Sequence, residues 1–106
     1  MGGDYPKYVK IFNLDYEIIW VDKAIETATD AHGSCDTCTQ TIVICREQKP
    51  GALTDTVMHE IMHAIFYSMN MSGNESEEKV VSLLSTGMCT VLRDNPSLKK
   101  WIVKNL

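Results

Sequence analysis

The segment from Met58 to Ala64, which reads MHEIMHA, constrains the fold of this chain more than any other stretch. From Val57 to Met69, apolar residues recur three and four positions apart, which predicts an amphipathic helix. Residues four apart on a helix point about 40° apart, so His59 and His63 project side by side. Two imidazoles held in this way match the first two ligands of a tetrahedral zinc ion.

Glu60 follows His59 directly and lies near the same edge of the predicted helix. There its carboxylate can reach a water molecule at the metal and accept a proton without binding the metal itself. The rest of the helix is so apolar that we expect it to be buried. Buried imidazoles need a partner, and a metal ion supplies one. The alternative is that His59 and His63 are core or boundary residues bonded to their neighbours.

The third protein ligand must come from another segment. His32, the remaining histidine, is one candidate. A second long helix is predicted over about residues 75–93, and its apolar stripe, extended back one turn from Val80, reaches Glu77. Glu78 falls on a more polar face. We therefore predict Glu77 as the ligand and Glu78 as the reserve, although acidic residues also complement the dipole at any helix start.

Tyr67 lies one turn beyond His63 on the same stripe. At that position it can stabilise an oxyanion, but a packing aromatic is the more ordinary interpretation. Cys35 and Cys38, with His32 three residues earlier, have the spacing of a zinc knuckle. A structural zinc site needs four ligands, so this segment alone does not complete one.

Length and residue order predict one α+β domain over residues 1–106. The expected architecture is a small antiparallel or mixed sheet packed on two long helices, plus a short C-terminal helix. A helix is expected over residues 22–31, and residues 34–40 are expected to form a turn. The remaining expected elements are strands Val9–Phe12, Tyr16–Val21 and Thr41–Cys45, the first long helix from a cap at Thr54 or Asp55, and a last helix capped by Ser97.

The formal net charge of −4 disfavours direct binding to nucleic acid, because phosphate backbones repel an acidic surface. The lysines at 99, 100 and 104 are expected to form the solvated face of the last helix. No apolar window is long enough to cross a membrane, and the first residues do not resemble a signal peptide. We therefore expect a cytoplasmic protein with reduced cysteines.

His59-Glu60-Ile61-Met62-His63-Ala64, followed by the acidic segment from Glu77 to Val81, resembles the zincin metallopeptidases of the gluzincin type. The chain looks like the minimal domains that phages and prophages encode, which are similar to the ImmA/IrrE group. The segment from Gly33 to Val43 resembles the edge strand beside such sites. The resemblance implies a minimal zincin-like domain with one Zn²⁺ per chain, held by His59, His63 and Glu77.

Two functions follow from these expectations. The first is a zinc peptidase that hydrolyses a protein or peptide substrate, a regulator among the candidates, with Glu60 as the general base. The second is a zinc-binding module of the same fold that docks on a partner protein without significant proteolysis. Small size favours the module, whereas the intact Glu60 favours the enzyme.

Overall fold

The computed structural model describes residues 5–22, 32–70, 74 and 76–106, without the side chains of residues 77 and 81. Within these residues the chain forms an α+β fold of four strands and three helices, which confirms the predicted class. The elements are β1 (Tyr8–Ile11), β2 (Leu14–Val21), β3 (Gly33–Asp36), β4 (Thr41–Cys45), α1 (Pro50–Ser68), α2 (Glu77–Asp94) and α3 (Pro96–Asn105).

The four described strands form one mixed sheet in the order β1-β2-β4-β3. β1 and β2 form a hairpin, closed by a turn at Phe12 and Asn13 in which Phe12 has a φ of 57°. β2 pairs with β4 in parallel, and β3 pairs with β4 antiparallel. The two ends of the sheet are therefore β1 and β3, and each has one described neighbour.

The core lies between one face of the sheet and the helices. Buried residues alternate along β1, β2 and β4, as a sheet covered on one face requires. Val57, Ile61 and Ile65 of α1 pack on this face. Gly87 brings α2 close to α1, since a Cβ atom there would lie 2.5 Å from Cγ2 of Ile65.

The predicted start of α1 is wrong by about one turn. The helix begins at Pro50, with Lys49 as its N-cap, rather than at a cap on Thr54 or Asp55. Proline suits the first helical position because its missing N–H has no partner there in any case. Thr54 is instead buried within the helix, and its hydroxyl donates to the carbonyl of Asn105 at 2.8 Å, which ties α1 to α3.

The other helix starts also differ from the prediction. α2 was expected from about residue 75 but starts at Glu77. Ser76 is its N-cap, and the Ser76 hydroxyl accepts a hydrogen bond from the N–H of Lys79 at 3.2 Å. α3 starts at Pro96 after Asn95, so Ser97 lies inside the helix and is not its cap. These shifts of one or two residues do not change which residues share a helix face.

Two other segments bear on the predictions. The expected turn over residues 34–40 is half strand, because β3 occupies Gly33–Asp36 and only residues 37–40 form a turn. The expected helix over residues 22–31 lies almost entirely outside the described residues. None of the described helices is both long and apolar enough to cross a membrane.

Candidate metal centre

Helix α1 places His59 and His63 one turn apart with their ring nitrogens converging. The two Nε2 atoms lie 3.2 Å apart, and the rings meet edge to face at a centroid distance of 4.8 Å. Both side chains are exposed, so the expectation that they need a metal to offset burial is wrong. The reason is that α1 buries the opposite stripe, from Leu53 to Ile65, and turns the histidines towards solvent.

The histidines line a depression between α1 and the edge strand β3. Its volume is about 680 Å³. The residues that line it and bear on its chemistry are Gly33, Cys35, His59, Glu60, His63 and Tyr67. We call it the histidine depression. The depression therefore brings the predicted site residues of α1 together with Gly33 and Cys35 of β3, about 25 positions earlier in the chain. Those predicted site residues are His59, Glu60, His63 and Tyr67.

Glu60 differs from the two histidines because it lies on the buried side of the depression. It is 6% exposed, and burial raises the pKa of its carboxyl, while His59 and His63 lower that pKa to a smaller extent. Desolvation disfavours the charged form of a carboxyl, whereas nearby imidazolium charge favours it. Burial prevails here, so the carboxylate of Glu60 is a stronger base than an exposed one.

Gly33 allows β3 to approach this carboxylate closely. A Cβ atom at Gly33 would lie 2.8 Å from Cγ2 of Thr56 and 3.1 Å from both Cγ and Oε2 of Glu60. The first distance is shorter than real contacts of this kind, so any side chain at Gly33 would displace its neighbours. The absence of a side chain at this position therefore sets the fit of β3 against the base of the site.

Cys35 lies beside the same carboxylate but is a poor nucleophile. The pKa of its thiol is raised to about 11, first by burial and then by the charges of Glu60 and Asp36. Reactive cysteines have lowered pKa values and cationic neighbours, which is the opposite situation. Asp36 instead organises the next turn, where its Oδ1 accepts from the N–H groups of Cys38 at 2.9 Å and Thr39 at 3.2 Å.

Tyr16, on β2, is a second buried polar group. It is completely buried, and its hydroxyl has no hydrogen-bond partner among the described residues. Burial raises its pKa, and the charges of Cys35, Tyr67 and Asp36 raise it further. Tyr16 is therefore neutral and serves as a packed ring of the hydrophobic core.

The geometry of the two histidines fits zinc. Two nitrogens bound to a tetrahedral zinc at about 2.0–2.1 Å lie about 3.3 Å apart, and the observed Nε2 separation is 3.2 Å. The same separation also permits one hydrogen bond between two neutral imidazoles, which is the alternative stated above. The carboxylate of Glu60 beside the pair is the further feature that a metal site for hydrolysis needs.

The third ligand is less well defined. Across the side chains that the structure describes, no group of three or more His, Cys, Asp and Glu residues is arranged to hold a metal ion. Glu78 and His32 are both exposed, and neither lines the histidine depression. Glu77 is the first residue of α2, but its side chain lies outside the described residues. Likewise, Cys35 and Cys38 do not form a second zinc site with other described residues.

Sequence reasoning missed the contribution of Gly33 and the proximity of Cys35 to Glu60. A signal for Gly33 was present, since a glycine that starts a strand often marks a close approach by another element. The neighbour it approaches depends on how β3 packs on α1, which no local pattern contains. Comparison with known proteins adds nothing to this site, because no family model, curated protein or solved structure matches the chain.

Proposed function

We propose that this protein is a zinc-dependent peptidase in which His59, His63 and Glu77 hold one zinc ion. The observation that carries the proposal is the 3.2 Å separation of the two histidine Nε2 atoms beside the buried carboxylate of Glu60. The resemblance of this segment to the small zincin domains of phages supports the same conclusion. A cytoplasmic location and a protein or peptide substrate are part of the proposal.

The roles of the protein groups follow from their positions. Zinc bound at the histidines supplies a Lewis acid that polarises a peptide carbonyl and lowers the pKa of a water molecule. Glu60 accepts a proton from the attacking water and later gives it to the nitrogen of the leaving amine. Tyr67, which is 57% exposed at the rim of the depression, is the candidate donor to the developing oxyanion.

The position of β3, whose one neighbour among the described strands is β4, supports a peptide as the substrate. The N–H of Cys45 donates to the carbonyl of His32, and ladder bonds alternate along an antiparallel pair. The main-chain groups of Gly33 and Cys35 therefore point away from β4, towards the depression side of the sheet. An extended peptide that adds to such an edge places its own carbonyls in register with the strand. At this edge those carbonyls lie near Glu60.

The first experiment measures zinc in the purified protein by elemental analysis. We expect about one zinc per chain, lost on His59→Ala or His63→Ala. His32→Ala is the matched control. It removes the third histidine of the chain, which does not line the depression, so this variant should retain the metal. Protein prepared with sufficient zinc that contains none would refute the proposal. Zinc bound at His59 and His63 without turnover of any protein tested would support the zinc-binding module instead.

A further inference from the structure

A second concave surface lies at the opposite end of the sheet from the histidines. It is a groove of about 700 Å³ between the segment before β1 and helix α3. The residues that matter to the argument are Lys7, Tyr8, Ser97, Lys100, Trp101 and Lys104. We call it the basic groove. Neither the zinc site nor its chemistry uses any of these residues.

The basic groove is a built feature with fixed walls. The indole N–H of Trp20 donates to the carbonyl of Pro6 at 2.7 Å, which holds the segment before β1 in place. Tyr5, Trp20 and Trp101 pack together beneath it, with ring centroids 4.6 Å apart for Tyr5 and Trp20 and 5.5 Å apart for the two tryptophans. The floor is therefore aromatic.

The charge of the groove is opposite to that of the chain. Three lysines line it, and no carboxylate is found among the described residues that do so. The chain as a whole has a formal net charge of −4. A local positive surface on an acidic protein attracts a short anionic ligand, whereas a long polyanion meets repulsion from the rest of the surface.

The shape of the groove decides between anionic ligands. Trp101 is only 6% exposed, so it offers no open ring face on which a base of single-stranded nucleic acid can stack. The surface is also concave, and a flat bilayer does not fit into a groove. Tyr8 is 64% exposed on the groove wall. It is a single exposed ring, which cannot stack successive bases of a strand but provides apolar contact area for a peptide side chain. These features favour a peptide.

We propose that the basic groove binds an acidic peptide segment of a partner protein. Lys100 and Lys104 are four residues apart on α3, which places them on one face about 6 Å apart along the helix axis. In an extended peptide, alternate residues on one side are about 6.6 Å apart. The segment therefore carries Asp or Glu at alternate positions, with apolar residues between them.

The test uses the fluorescence of the two tryptophans of the chain, which both belong to the aromatic cluster beneath the groove. The probe is a capped peptide, Gly-Glu-Leu-Glu-Leu-Glu-Gly, which contains no aromatic residue. We expect a saturable change in emission that weakens as salt rises from about 50 mM to about 500 mM. The Gln version of the peptide should bind at least about tenfold more weakly. EDTA should have no effect, which separates this result from the zinc proposal.

Variants locate the site on the protein. Lys100→Glu and Lys104→Glu should each weaken peptide binding about tenfold, while circular dichroism confirms that both variants fold. Lys99→Glu is the matched control: it makes the same change of charge on the same helix, but Lys99 does not line the groove. It should change affinity by less than about twofold.

Three outcomes would overturn the proposal. One is the absence of binding by the native protein at about 1 mM peptide. Another is a Lys99→Glu variant as impaired as Lys100→Glu, which would indicate general attraction rather than a site. The third is equal binding of an oligonucleotide or of anionic vesicles carrying the same charge, which would assign the lysines to another class of partner.

Discussion

The side chain of Glu60 combines burial with direct proximity to two exposed imidazoles. Carboxylates are almost never this buried without a partner, because desolvation of the charge is costly. In an enzyme the cost has a use, since a base with a raised pKa accepts protons more readily than an ordinary carboxylate. The burial of Glu60 therefore supports its proposed role as the general base over a purely structural one.

Replacing Glu60 by Gln separates chemistry from metal binding. The amide keeps the shape of the side chain but cannot accept the proton, so hydrolysis should fall by about 10²–10⁴-fold, while zinc content stays the same. Both are measured on one preparation, with a substrate that the native protein cleaves. Loss of zinc from this variant would show that Glu60 is a ligand or a structural support. Unchanged activity would place the chemistry on another residue.

The same variant has a readout that needs no substrate. Because burial raises the pKa of Glu60 in the folded state, the folded protein binds more protons than the unfolded chain between the two pKa values. Stability conferred by the neutral carboxyl is therefore lost as pH rises through that window. In zinc-free protein, Glu60→Gln should be more stable than native protein at pH 7, and the difference should disappear at acidic pH.

Gly33→Ala tests the close approach of β3 to the base. The new methyl group would meet Thr56 at 2.8 Å and Glu60 at 3.1 Å, so β3 or the carboxylate must shift. We expect a destabilisation of about 1–3 kcal/mol, measured by chemical denaturation, and reduced turnover. Gly51→Ala is the control, because the one described atom near a Cβ there is the carbonyl oxygen of Leu106, at 3.8 Å. Equal effects of the two changes would contradict the packing argument.

At the level of elements, α2 shows how much a sequence pattern determines. The polar face predicted from the sequence is exposed in the structure at Ser82, Ser85 and Cys89, and Glu78 lies on that face. Leu84 is partly buried and Val91 is buried. These residues follow position 77 by seven and fourteen positions, so all three positions share one stripe of the helix. Helix phase is local and therefore predictable, whereas the partner that this stripe meets is not.

The helical phase of α2 predicts different effects on zinc binding for substitutions of its first two residues. Glu77→Gln should weaken zinc binding by at least about tenfold, because position 77 falls on the same helical stripe as Leu84 and Val91. Glu78→Gln makes the same chemical change on the exposed face and should have little effect. Zinc affinity is measured by competition with a chromophoric chelator. Equal effects, or a larger effect at Glu78, would show that the ligand assignment is wrong.

Helix ends were less predictable than helix faces. Lys49 caps α1 without a side-chain hydrogen bond, so no capping residue marks that boundary in the sequence. Pro50 was the available signal, because proline is favoured at the first helical position. For α2, Ser76 and Asn74 are both capping residue types two positions apart, and only the path of the preceding chain decides between them.

At the scale of the whole molecule, the two proposed sites lie at opposite edges of one sheet. The histidine depression borders β3, and the basic groove borders β1, with β2 and β4 between them. Three strand spacings separate the edges by about 14 Å. Element order predicted the α+β class, but the parallel pairing of β2 with β4 brings β3 beside α1, and that contact assembles the depression. Such long-range pairing leaves no local signal.

Zinc should stabilise the whole fold, because the proposed ligands come from two different helices. A ligand that binds only the folded state, at a concentration about 100 times its Kd, raises the free energy of unfolding by about 2.7 kcal/mol. For a domain of this size that corresponds to a rise in Tm of about 10 °C, measured by differential scanning calorimetry with and without zinc. His32→Ala should keep the rise, and His63→Ala should abolish it. A full rise in His63→Ala would place the zinc on other residues, with the thiols of Cys35 and Cys38 as the first to test.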